Sequence, residues 1–527
     1  MLTVSSTSGR WERLVHQATM FLEADVTALR LGGRDVTGYR SPDNPALWIR
    51  DHADTLRAGV FFRADVWSAV EAFVRTQGRD GRIFDYATTK PTPTQRENWE
   101  TWVRIPVEAD VEYRLVSAAH LAWQATGALP SDLLSALDAA LTYTRTDPER
   151  WDEAHGLVKR AYTVDTWDFD HSRAHAEGRA PWLNFQLNDD TLWGIGHADN
   201  SGFVFACERL ADLYEAAGKA ERAAFWRAEG QGVRVRANAL LWNGRFYRHF
   251  HFLVPPPASI DGIDTDEQLS LSVPAAHPRG LASGEQGRAI VDEYRRRAAE
   301  GRSFAPWWGI DPAFPAGFFG EDAIVPGAYC NGGIMPLVGG DLARTAFATG
   351  REAFGVETLT TYADLVAQSG ETYLWYFPDG TASSVDTSTS PEATPTDGWG
   401  TSAMLLGLVE GLAGVKDLGA GFGHVRLSPR WTASGEDDAD VHVAYEASGA
   451  AFGYAYRHDR VAQTITLHID GNAEVALNVL LPEGTTTARV RCDDRAVETT
   501  LHREDLSPYA QASVTVGGRA TVEVVYG

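Results

Sequence analysis

Cysteine is scarce in this 527-residue chain: Cys207, Cys330 and Cys492 stand far apart, which excludes a disulfide framework and a cysteine-based zinc site. Only four of the 47 basic residues are lysines, and no function is read into that bias. Positive charge as a whole is outweighed, with 71 acidic residues leaving a formal charge of -24 and a pI near 5.0. Such a surface repels a phosphate backbone and an anionic membrane, so neither nucleic acid nor a bilayer is expected as a partner. No uninterrupted apolar run of membrane-spanning length occurs, and the opening MLTVSSTSGRWERLVHQ has no basic stretch followed by an apolar one. A cytoplasmic protein acting on a neutral small molecule or polymer is the expectation, with no oligomeric state favoured over another.

What is present is a large hydrophobic fraction, 44%, enough for a sizeable core. Seventeen tryptophans, several in polar or glycine-rich surroundings, exceed what core packing alone selects. Such rings are good platforms for the apolar faces of sugars. From about residue 10 to 415 helical periodicity dominates, with candidate helices over 11–30, 51–77, 107–126, 130–145, 148–161, 199–217, 219–241, 284–300, 328–348, 351–368 and 398–414. Eleven is close to the twelve of an (α/α)6 barrel, six helical hairpins in a ring. After about residue 420, short alternating segments such as ADVHVAYEA, QTITLHID and ATVEVVYG predict an antiparallel β-sandwich. The expected division is therefore a catalytic barrel over residues 1–418 and a bracing β-sandwich over 419–527.

Four clusters could carry chemistry. In NPALWIRDHADTLRAG, Trp48 precedes Arg50 and Asp51 at a helix start, where the dipole favours an anion, and an aromatic face beside a fixed Arg–Asp pair suits a sugar ring. In TVDTWDFDHS, Asp165, Asp168 and Asp170 flank Trp167; a carboxyl desolvated against tryptophan has a raised pKa and suits a general acid. His171 and His175 stand four apart, yet no further ligand accompanies them and no EF-hand spacing occurs, so no metal and no cofactor is expected. SFAPWWGIDPAFPAGFFG brings Trp307 and Trp308, followed by Tyr329 and Asn331 beside glycines. SGETYLWYFPDG brings Glu371 among aromatics, ahead of Asp397 and Trp399. Each cluster precedes an inner helix of the expected barrel. Loops in such a ring alternate between its ends, so all four converge on one pocket.

These segments resemble the six-hairpin glycosidases, which include glucoamylases, trehalases and α-L-rhamnosidases. LWIRDHAD is similar to their W-x-R-D sugar-binding segment. TVDTWDFD falls where trehalase-like members carry an acid, and GETYLWYFPDG followed by DGWGTSAML is similar to their Glu-x-Tyr arrangement near the last helix. GAYCNGGIMP resembles a Tyr-x-x-Gly-x-x-x-Pro segment, with Asn331 where arginine is usual. The chain departs from the pattern in lacking Glu-Ser-Gly before Trp167 and in lacking a β-sandwich ahead of the barrel.

The resemblance implies an inverting exo-glycosidase acting on a small carbohydrate or chain end. Asp168 is then the acid, with Asp165 as second choice, and Glu371 is the base. Trp48, Arg50, Asp51, Trp167, Trp307, Trp308, Tyr329, Asn331 and Trp399 are expected to shape the subsite. A phosphorylase would instead need a phosphate site. A sugar epimerase would rely on His171, His197 or His249, and a non-catalytic sugar-binding protein would not need two opposed carboxylates. A polysaccharide lyase fits an acidic protein poorly.

Overall fold

The computed structural model describes the chain except residues 41–45, 90–99, 168–169, 181–183, 258–262, 320–323, 385–386 and 388–394. Of the expected site residues, Asp168 alone lies outside the described residues. The helices are α1 (Arg10–Ala24), α2 (Ile49–Gly59), α3 (Ser68–Arg75), α4 (Val111–Thr126), α5 (Leu133–Thr146), a single turn α6 (Arg173–Ala176), α7 (His197–Ala216), α8 (Ala220–Leu241), α9 (Gly284–Ala298), α10 (Pro336–Ala348), α11 (Glu352–Ser369) and α12 (Trp399–Leu406). No helix among the described residues is long and apolar enough to cross a membrane.

Several expected boundaries shift for local reasons. The helix expected over 11–30 ends at Ala24, because Val26–Leu31 pairs with Arg34–Tyr39 across Gly32 and Gly33, both at positive φ. The helix expected over 51–77 is two, broken where Asp65 accepts hydrogen bonds from the backbone N–H groups of Trp67 and Ser68. The stretch 148–161 is not helical; Trp151–Asp152 pairs with Leu157–Val158 around Gly156.

The helices form two layers. Inner elements α2, α4, α7, a 3-10 turn at Pro274–Ala276, α10 and α12 each pack on the next, and α12 closes the ring on α2. Outer helices flank them: α3 and α5 on α4, α8 on α7, α9 and α11 on α10, and α1 on α11 and α12. Close approach at the closure needs small residues. A Cβ on Gly340 of α10 would stand 2.3 Å from the Ala403 carbonyl carbon of α12. Ser402 Oγ donates to the Thr55 carbonyl at 2.8 Å and accepts from the Ala58 N–H at 3.1 Å, tying α12 to α2.

Outer and inner elements alternate along the chain, so the connections sort by end. Those entering inner elements are long, at 25–48, 76–110, 147–196, 242–273, 299–335 and 370–398; those leaving them are short, at 60–67, 127–132, 217–219, 277–283 and 349–351. All four sequence clusters lie on the long connections or on the first turns that follow them.

The C-terminal part is one ten-stranded sheet, antiparallel except where His424–Leu427 runs parallel to Glu474–Leu477. Its edge strand is Leu2–Ser6, paired with Asp438–Ala444, so the sheet is assembled from both ends of the chain. A boundary drawn at residue 418 therefore leaves out this strand and the strand Val415–Asp417, which pairs with Val425–Leu427. One large apolar core runs continuously from the helical ring into the sheet, beside a small separate cluster of Ile105, Val107 and Ala161.

Gly340→Ala is expected to destabilise the protein by about 1–3 kcal/mol, because the added methyl overpacks the α10–α12 contact. Urea unfolding measures it; an unchanged midpoint and slope would show that the two helices separate freely.

Candidate active site

The site is built on the first turns of α2, α4 and α12. Trp48 is the N-cap residue of α2, and Arg50, Asp51 and Asp54 follow within its first two turns. Trp399 opens α12, and its indole N–H donates to Asp54 Oδ2 at 3.0 Å. Asp54 Oδ1 in turn accepts from Arg114 Nη1 at 2.5 Å, and Arg114 Nε donates to Asp110 Oδ2 at 3.1 Å. Arg50 grips the same Asp110 through Nε at 2.9 Å and Nη2 at 2.8 Å, and also pairs with Glu108. Burial works against ionisation of both carboxyls. At Asp110 the two guanidiniums win and hold it below the ordinary range, whereas Glu108 is left well above its own.

The aromatic groups close over this floor. The Trp167 ring lies 4.6 Å from Tyr329 and meets Trp399 edge-on at 6.5 Å, an arrangement aromatic rings favour. Trp167 is fixed from below, its carbonyl accepting from Arg160 Nη2 at 3.0 Å while Arg160 pairs with Asp199 at 3.1 Å. Tyr329 takes a left-handed backbone with φ of 49°, uncommon outside glycine. Trp48 stacks on Tyr86 at 4.2 Å, with the Arg40 guanidinium 5.4 Å from its centroid; Arg40 also pairs with Asp51.

Glu371 directly follows Gly370, whose φ of 70° ends α11. It is half-buried, and its Oε1 accepts the Thr372 N–H at 2.9 Å. Nearby, Asp397 Oδ1 accepts the Trp399 N–H at 2.8 Å and Asp25 Oδ2 accepts the Gly398 N–H at 2.5 Å. Burial, together with the charges of Asp397 and Glu371, pushes the Asp25 carboxyl well above its usual range.

The expected site residues thus divide. Trp48, Asp51, Trp167, Tyr329 and Trp399 gather at the end of the long connections, and Glu371 lies on the connection leading into Trp399. Arg50 spends its guanidinium on Asp110 and Glu108 rather than presenting it to a ligand. Asn331 has no exposed surface, and its amide is used on the backbone of Phe314 and Ile324, so it braces a loop. Trp307 is likewise fully buried, and Trp308 is buried against Tyr294.

The aspartates around Trp167 have opposite environments. Burial alone would raise Asp165, but His197 and hydrogen bonds from Ser270 and Ser272 reverse this and hold it at about 2. An ionised carboxylate of that kind has no proton to donate at neutral pH. Asp170 is buried, neither carboxyl oxygen has a hydrogen-bond partner among the described residues, and burial pushes it to about 7. Burial also lowers His171 to about 3, with His175 adding to it. Among the described residues no group of three or more His, Cys, Asp or Glu could hold a metal ion.

Sequence reasoning passed over Asp54 as a binding residue, together with Arg40, Glu108, Asp110, Arg114 and Asp25. The detectable signal was in VEADVEYR, where Asp110 and Arg114 stand four apart at a helix start beside Glu108 and Glu112.

No family model matches the chain, and no curated protein sequence does. Solved structures do. Aligned with an α-L-rhamnosidase from Dictyoglumus thermophilum, the whole chain superposes on 51% of that protein at a TM-score of 0.59 with 10% identity. A GH78 family rhamnosidase of Bacillus sp. GL1 matches over 91% of this chain and 42% of its own, at 0.58 and 15% identity. An α-L-rhamnosidase of Streptomyces avermitilis, complexed with L-rhamnose, matches over 100% and 42%, at 0.57 and 12% identity. The chain spans about half the length of these structures or less. The likeness holds at the level of fold: the chain shares the fold of the matched part of these rhamnosidase structures.

Because burial raises the Asp170 carboxyl from an ordinary 3.8 to about 7 in the folded protein, its contribution to stability is complete below pH 4 and lost as the pH rises through 7. Asp170→Asn is therefore expected to be more stable than wild type at pH 8, by at most about 4 kcal/mol, with the difference vanishing toward pH 4. Urea unfolding across that range tests it; a difference independent of pH would contradict the assigned environment.

Proposed function

We propose that this chain is an inverting exo-glycosidase on an (α/α)6 barrel, acting on a small glycoside or an oligosaccharide end. The observation that carries the reading is the convergence of Trp167, Tyr329 and Trp399 above the buried carboxylate of Asp54, at the end where the long connections enter the inner ring. An aromatic wall over hydrogen-bonding carboxylates and guanidiniums is the chemistry that holds a neutral sugar. The fold shared with glycosidases supports the same reading.

In this proposal Asp168, next to Trp167, protonates the leaving oxygen, and Glu371 takes a proton from water attacking the opposite face. The two carboxyl groups then stand about 6.5–9.5 Å apart, which leaves room for that water. Asp51, Arg40 and Asp54 bind hydroxyls, while Arg50 acts from behind by fixing Asp110 and hence Arg114. Asp165 is a strut of the loop that carries Asp168. The sugar is to be found with a panel of nitrophenyl glycosides and disaccharides that includes α-L-rhamnosides, the sugar of the matched enzymes.

Glu371→Gln and Asp168→Asn are each expected to lower kcat by about 10²–10⁴-fold while leaving sugar binding within a few-fold of wild type. NMR of the first-formed product should show the anomer opposite to that of the substrate. Retention of configuration, or undiminished turnover by Glu371→Gln, would refute the assignment; dependence of turnover on phosphate would make the protein a phosphorylase.

A further inference from the structure

A cavity inside the inner ring is lined by Asp54 and by residues that continue toward the sheet, among them Val415, Val443 and Tyr445. Its volume is about 130 Å³, and it is lined by residues of α2, α4, α7, α10 and the end of α12, with Phe422 and Tyr445 of the C-terminal part. Of the groups assigned to the sugar hydroxyls, Asp54 alone also lines this cavity.

Its lining is unusually cationic for a chain of charge -24. Four carboxylates line it, and three of them are each shared by two cations. Asp54 has Arg114 at 2.5 Å and Arg57 at 3.9 Å; Asp341 has Arg57 at 2.9 Å and Arg344 at 3.3 Å; Glu410 has Arg344 at 2.7 Å and Lys416 at 3.4 Å. The fourth, Asp417, is spent on the N–H groups of Gly419 and Phe422 and on the Tyr445 hydroxyl.

Donors remain over. Arg279, from the segment after the 3-10 turn, has no carboxylate within ion-pair distance among the described residues. Its Nη1 donates to Ser201 Oγ at 3.2 Å, and its guanidinium sits 5.8 Å from the Tyr113 centroid. Arg57 Nη2 and Arg344 Nε are buried with no acceptor. Arg279 is partly exposed while the two nitrogens are buried, so the lining carries more N–H donors than its carboxylates take up. The surroundings respond to the excess. Glu410 sits at about 2, because Lys416 and Arg344 outweigh the burial that would raise it. Lys416 is lowered although Glu410 works to raise it, since burial, Arg344 and Arg209 prevail.

We propose that this cavity binds a small tetrahedral oxyanion of the phosphate class, held by the Arg279 guanidinium with the spare donors of Arg57 and Arg344. Guanidinium forks match the geometry of phosphate oxygens and make charge-assisted hydrogen bonds to them. The inference stands independently of the glycosidase reading.

Isothermal titration with inorganic phosphate, at an ionic strength held constant with sodium chloride, tests it. The wild type is expected to bind saturably with a millimolar or tighter Kd. Arg279→Met should weaken binding at least about 10-fold, a loss of about 1.4 kcal/mol, while Glu371→Gln at the opposite end leaves it unchanged. A hexose phosphate titrated alongside distinguishes a free anion from a phosphate ester, either of which supports the site. Arg57→Lys, which keeps the charge and loses the fork, serves if Arg279→Met fails to fold. Absence of saturable binding to the wild type, equal binding by Arg279→Met, or loss of binding in Glu371→Gln overturns the proposal.

Discussion

Arg50, Asp110, Arg114 and Asp54 form a continuous run of buried ion pairs across the first turns of two inner helices, ending on the Trp399 indole of a third. Each member pairs with the next, and Arg50 also pairs with Glu108. Removing one partner of such a run leaves an uncompensated charge in a water-poor interior, commonly at a cost of about 3–5 kcal/mol. The run therefore fixes the mutual positions of α2, α4 and α12 as well as the Trp399 ring. The aromatic wall depends on it in turn, because Trp167 packs against Trp399, and Arg160 and Asp199 hold Trp167 by the same kind of pair.

This arrangement separates scaffold from ligand surface within one constellation. Groups that seem equally suited to a sugar on inspection of the sequence have unequal freedom once folded. Arg50 is committed to two carboxylates, whereas its neighbour Asp51 faces Arg40 beside the Trp48 ring. The same logic distinguishes Asp165 from Asp170. Three hydrogen bonds and His197 hold the first ionised, whereas burial raises the second to about 7. Five residues of sequence separate two carboxyls whose proton affinities lie several powers of ten apart.

Much of the architecture was legible. Apolar periodicity located most helices within a few residues, and the change to alternating segments near residue 420 located the sheet. The errors share a cause, since periodicity reports which face is buried and not where the backbone breaks. The Gly32–Gly33 turn, the Asp65 break and the Gly156 turn each ended an apolar pattern that read as continuous helix. The fourth inner element escaped notice because it is a three-residue turn, Pro274–Ala276, with too few residues to show any period. The strand Leu2–Ser6 was invisible as part of the sheet, since its partner lies more than 400 residues away.

For the site, order along the chain was enough to bring the clusters together, because alternation of outer and inner helices places every second connection at the same end. That much follows from sequence alone, along with the aromatic richness and the acidic balance that favour a neutral ligand. Which side chains remain free within that end was a tertiary decision. Charge partners such as Glu108, Asp110 and Arg114 come from a different connection some sixty residues on, and only folding brings them to Arg50 and Asp54. A side chain's chemistry is set by its nearest polar neighbours and by exclusion of water, and neither is written in the local sequence.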